Sequence, residues 1–154
     1  MYPDDVFRNE LAAVTQNLTQ WAEPLKDAAN IEIRDASGYW RISARPKTPG
    51  ACPMTLVLRN DQKFDLSLST ERFEDRAIDD FALFGAIAQA VAAGHVELVR
   101  SSCALTGGLK CIETRVTFSD GVVWSHVRKT GPLARAKTGS PDVQDAEDFL
   151  PYLR

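Results

Sequence analysis

Apolar residues recur along this chain with two different periods, and the places where the period changes mark its elements. From about Asp4 to Glu23, Phe7, Leu11, Val14, Leu18 and Trp21 fall four and three apart, the narrow stripe of an amphipathic helix. Asp4 and Asp5 suit the positive end of its dipole, and Pro24 should end or bend it near Glu23. From Ile31 the period drops to two. Between Ile31 and Ile42 a four-residue loop, Asp35 to Gly38, would oppose Ile33 to Trp40 and Ile31 to Ile42, with all four on one face. Arg45 to Gly50 reads as a loop. Met54 to Leu68 alternates on both arms of a turn at Asn60 to Gln62, pairing Leu58 with Phe64, Leu56 with Leu66 and Met54 with Leu68. Lys63, Asp65 and Ser67 take the other, wet face.

The period returns to that of a helix over residues 80–93, which has almost no polar face. Asp79 or Asp80 would supply the N-cap, and Gly94 the left-handed residue that closes it. Its apolar run is too short to span a bilayer, where ~20 residues are needed, so burial on every side by protein is expected. Three strands follow, Val96 to Cys103, Leu109 to Phe118 and Val122 to Val127. Ser119-Asp120-Gly121 fits a type I turn with a glycine bulge, opposing Phe118 to Val122 and Val116 to Trp124. The turn at Thr106 to Gly108 would oppose Val96 to Phe118, Leu98 to Val116 and Cys103 to Cys111. A tighter Gly107-Gly108 turn competes and would place Glu97 opposite Phe118. The charged run from Glu71 to Arg76 reads as a solvated loop rich in ion pairs. From Arg128 the character changes to cations, then acids. Ser140-Pro141 is a candidate helix start, and Phe149, Leu150, Tyr152 and Leu153 could anchor the end to the domain.

These elements define an α+β domain of order α-ββββ-α-βββ, with an antiparallel sheet of about seven strands and a short C-terminal helix. Residues 1–127 form the domain, and 128–154 a linker with an anchor.

Composition removes several function classes. With 18 basic and 21 acidic residues the formal charge is −3 and no long basic run occurs, so a nucleic-acid partner is not expected. The first residues have neither a positive n-region nor an apolar h-region, so a cytoplasmic location is expected, without a membrane partner. In that setting the sequon at Asn17 carries no meaning. Cys52, Cys103 and Cys111 are odd in number and lack CxxC spacing, which speaks against a disulfide framework or a zinc site. His95 follows Gly94 and suits a helix C-terminus. His126 shares the face of Trp124, opposite Thr114. Thr106-Gly107-Gly108 joins strands and is no phosphate loop. No catalytic residue, metal ligand or cofactor site is expected.

Two function classes remain. In the first, the chain is a non-catalytic protein-binding or adaptor domain, a homodimer in which the small residues Gly85, Ala86, Ala90 and Ala93 let two helices approach closely. In element order, though in no motif residues, it is similar to dimeric secretion-chaperone-like domains. That resemblance implies a dimer whose exposed apolar patches bind an extended segment of another protein. In the second, the chain is a small-molecule binder or enzyme with a pocket between the sheet and helix 80–93, lined by Trp40, Phe64, Phe84 and Trp124, with His126 nearby.

Overall fold

The computed structural model describes residues 1–130 and 142–153. Among them are α1 (Asp4–Ala22), a 3-10 turn (Glu23–Leu25), β1 (Ala29–Asp35), β2 (Tyr39–Pro46), β3 (Met54–Arg59), β4 (Lys63–Leu68) and β5 (Glu71–Ala77). Then come α2 (Ala82–Ala93), β6 (Val96–Cys103), β7 (Leu109–Thr117), β8 (Val123–Lys129) and β9 (Asp142–Asp148). The class is α+β, but the strands form two antiparallel sheets, β1-β2-β3-β4-β5 and β8-β7-β6-β9, rather than one of about seven strands.

Where side-chain alternation and turn chemistry agree, the expected registers hold. Leu58 faces Phe64, Leu56 faces Leu66 and Met54 faces Leu68. Val116 faces Trp124 and Thr114 faces His126. Two hairpins are displaced by one step of the two-residue period, which keeps every side chain on its face. Ile33 meets Ile42 and Asp35 meets Trp40, with residues 36–38 between the strands, where Asn60 of the next hairpin binds the carbonyls of Ser37 and Gly38. In the other, Val96 meets Val116 and Leu98 meets Thr114. A register break after Ser101 and a wide turn, in which Cys103 N–H donates to the Gly108 carbonyl at 2.9 Å, put Ser101 opposite Cys111. Cys103 and Cys111 are therefore not paired.

Two segments differ in kind from expectation. Glu71–Ala77 is a strand: Leu68 faces Glu71 and Leu66 faces Phe73, so Glu71 and Phe73 turn inward at 2% and 6% exposure. Asp142–Asp148 is also a strand, where a short helix was expected. Seven residues pair with β6, whose hydrogen-bonding edge outweighs local helix signals, and Arg100 donates to Glu147 at 3.0 Å. Its acids are at home on a sheet edge, where charge discourages pairing with other chains. The helix start expected at Ser140-Pro141 lies outside the described residues.

One core joins both sheets and both helices, with Phe7, Val14 and Leu18 from α1 and Phe84, Ile87 and Val91 from α2. The N-cap of α2 is Phe81 rather than Asp79 or Asp80, although the Asp80 carboxylate accepts the Ala82 N–H at 3.0 Å just ahead of it, and Gly94 at φ +82° ends the helix as expected. It is not covered all round: α1 packs against it, while Ala82, Gln89 and Ala93 stay exposed. The chain end supplies more of the covering. Phe149 and Tyr152 are buried, Tyr152 N–H donates to the Ala92 carbonyl at 2.9 Å, and the Tyr152 hydroxyl donates to the Cys52 carbonyl. Leu150 and Leu153, the other two anchor residues expected, are exposed.

Candidate functional site

β5 and β8, edge strands of different sheets, meet side by side through their side chains. The Phe73 ring lies edge-on to Trp124 at 5.2 Å and tilted against His126 at the same distance. Farther along, Arg128 reaches Glu71 with two hydrogen bonds of 3.0 and 3.1 Å. Glu71 is 2% exposed, so this ion pair supplies the cation that makes its burial tolerable.

At the other end of this seam a cleft of about 320 Å³ opens between β4, β5, the β5–α2 connection, α2 and β8, lined by Phe64, Arg76, Ala77, Asp79, Asp80, Leu83, Trp124 and His126. Its apolar wall is continuous with the core: Phe64 packs edge-on to Phe84 at 5.0 Å, and Trp124 lies tilted against His126 at 4.4 Å. Burial, and then the nearby charge of Arg76, hold the His126 imidazole below its ordinary pKa. The rim is pinned by the chain start. The Gln62 side chain accepts from Tyr2 N–H and donates to its carbonyl, each at 2.7 Å, and the Tyr2 hydroxyl donates to the Asp79 carbonyl at 2.7 Å.

Of the residues singled out in the sequence, the cleft gathers Phe64, Trp124 and His126. Phe84 stands behind Phe64, 1% exposed. Trp40 lies elsewhere, bordering a groove against α1 with Arg8, Leu11 and Tyr39. Thr114 is buried, Ala90 faces the chain's own core and Gly85 is half-buried on α2. Arg76, Ala77, Asp79, Asp80 and Leu83 also line the cleft and were not expected there from the sequence. A glycine or aromatic signal would have drawn attention to them, and none is present.

A second feature lies on the opposite face of the second sheet. Val123 and Val127 point away from the core on β8 at 51% and 59% exposure, and Val122 before them is at 56%. Beside this row, on β7, Arg115 is held by Glu97 at 3.2 Å and Glu113 at 2.7 Å, so its charge is compensated.

The cysteines differ in surroundings. Burial, followed by the charge of Glu147, pushes the Cys52 thiol up to about 12. Cys103 is shifted down, first by the Thr106 N–H, then by Leu105 N–H, the Thr106 hydroxyl and Lys110. Among the described residues no three His, Cys, Asp or Glu side chains are arranged to hold a metal ion, and no helix is long and apolar enough to cross a membrane. No family model, curated protein or solved structure matches the chain.

Proposed function

We propose that this chain is a non-catalytic protein-binding domain, adaptor- or chaperone-like, and that its first partner is a second copy of itself. The observation that carries this reading is the outward face of β8, where Val123 and Val127 are each more than half exposed, with the equally exposed Val122 just ahead of the strand. Clustered exposed apolar residues mark contact surfaces more often than isolated ones do. A two-fold contact brings the same row from each chain together, which is the self-complementarity an isologous interface requires. The flanking Arg115 is already held by Glu97 and Glu113 within the chain, so no unpaired cation stands beside the valines, and the ladder's net charge of −1 is what their burial has to outweigh. Sedimentation equilibrium tests the reading: the native chain should self-associate, and Val127→Glu, which puts a charge into the row at an exposed position, should abolish it. A native chain that stays monomeric overturns it.

A further inference from the structure

The backbone at Asp75 is left-handed, φ +58°, in a residue that is not glycine. Such a conformation costs of order 1 kcal/mol or more and persists only where its surroundings impose it. Here they do: Asp75 N–H donates to the Asp65 carboxylate at 2.7 Å, and its own carboxylate takes Arg59 at 2.9 Å and Lys63 at 3.3 Å. The consequence is a β-bulge. Simple alternation from the inward-facing Phe73 would turn Arg76 outward, but the pairing shifts between Phe64 and Leu66, so that Arg76 stands opposite Phe64. The bulge thus aims a guanidinium into the cleft, and re-aiming a side chain is what bulges beside binding sites commonly do.

Once there, Arg76 has no ion pair or hydrogen bond among the described residues, and neither does the carboxylate of Asp79. A hollow of about 390 Å³ at the end of α2 also contains an arginine, Arg115, but two glutamates already hold it. The seam cleft combines an uncommitted cation, an uncommitted anion and an apolar wall of Phe64, Leu83 and Trp124; the groove at Trp40 offers a similar set in Arg8 and Asp35 but is smaller, about 240 Å³. The volume of the seam cleft falls at the lower end of the ~300–1,000 Å³ range of small-molecule sites.

We propose that this cleft binds a free α-amino acid with an apolar side chain, its carboxylate between Arg76 and His126, its ammonium at Asp79 and its side chain against Phe64, Leu83 and Trp124. A ligand carrying only the anion would leave Asp79 unmatched, and one carrying only the cation would leave Arg76 so. The zwitterion matches both, and charge-assisted hydrogen bonds are the stronger kind.

The test is a titration of the full chain with L-phenylalanine and L-leucine, followed by the NMR signals of the Trp124 indole and the His126 imidazole. The probes 3-phenylpropionate and phenethylamine each lack one of the two charges. Saturable shifts at both side chains with at least one of the amino acids are expected, with affinity lower by about tenfold for each single-charge probe and for Arg76→Gln. Arg76 is exposed, so this variant should keep the native spectrum elsewhere, and Asp79→Asn is a second variant expected to weaken binding. The proposal is overturned if neither amino acid gives saturable shifts at millimolar concentration. It is equally overturned if the single-charge probes bind as well, or if Arg76→Gln binds unchanged.

Discussion

Gly94 and Gly85 lie at the end and near the start of the same helix, and alanine should act on them with opposite sign. At Gly94, φ is +82°, where an L side chain is strained by about 1–2 kcal/mol. A Cβ there would also meet the backbone of the C-terminal tail, 2.7 Å from Pro151 N, 2.9 Å from the Leu150 carbonyl carbon and 3.0 Å from Phe149 O. Backbone cannot rotate out of the way as a flexible side chain can. The tail must lift, weakening the seating of Phe149 and Tyr152, which are 7% and 2% exposed. Partial loss of that burial adds about 1–2 kcal/mol, giving about 2–4 kcal/mol of destabilisation for Gly94→Ala. At Gly85 an added Cβ meets nothing within 4 Å and the residue is helical. Gly85→Ala should therefore stabilise by about 0.5–1 kcal/mol through helix propensity. Urea denaturation followed by circular dichroism gives both values. A Gly94→Ala protein within about 0.5 kcal/mol of the native chain would refute the account of the tail.

Two further outcomes concern the interior. Arg128→Met leaves the Glu71 carboxylate buried without its cation and should cost about 2 kcal/mol, less than the ~3–5 of a fully buried pair because Arg128 is half exposed. The double variant with Glu71→Met should be more stable than Arg128→Met alone, and a urea double-mutant cycle showing no coupling would contradict this. Alkaline pH should destabilise the fold through Cys52 and Tyr152, both of which burial holds protonated. With the folded values raised, the folded state binds more protons than the unfolded one. The Cys52 contribution is complete below the ordinary thiol value near 9.0 and is lost as pH rises toward about 12, and that of Tyr152, raised by burial from its ordinary value, is lost at higher pH still. Cys52→Ala should flatten that decline in urea midpoints measured across the interval, and an unchanged slope would be inconsistent with a buried thiol.

Sequence pattern reached as far as local chemistry determined structure. The β3–β4 and β7–β8 registers were legible because alternation and turn residues specified the same pairing. The β1–β2 and β6–β7 registers were legible only in their facing. Their offsets coincide with Asn60 gripping a neighbouring turn and with a register break after Ser101, neither of which leaves a trace in polarity. β5 read as a loop because a buried glutamate makes sense only beside Arg128, 57 residues further on. β9 read as a helix start because its pairing edge belongs to β6. The cleft was half legible: Phe64, Trp124 and His126 followed from their faces, whereas Arg76 enters through a bulge at a non-glycine residue that alternation assigns the other way.

The central claim, that the exposed valine row joins two copies of this chain, is most directly tested by mass in solution. Size-exclusion chromatography with light scattering, run over a range of concentrations, should give twice the 17.0 kDa chain mass for the native protein and a single chain mass for Val127→Glu. A native protein that elutes at one chain mass throughout would contradict the claim.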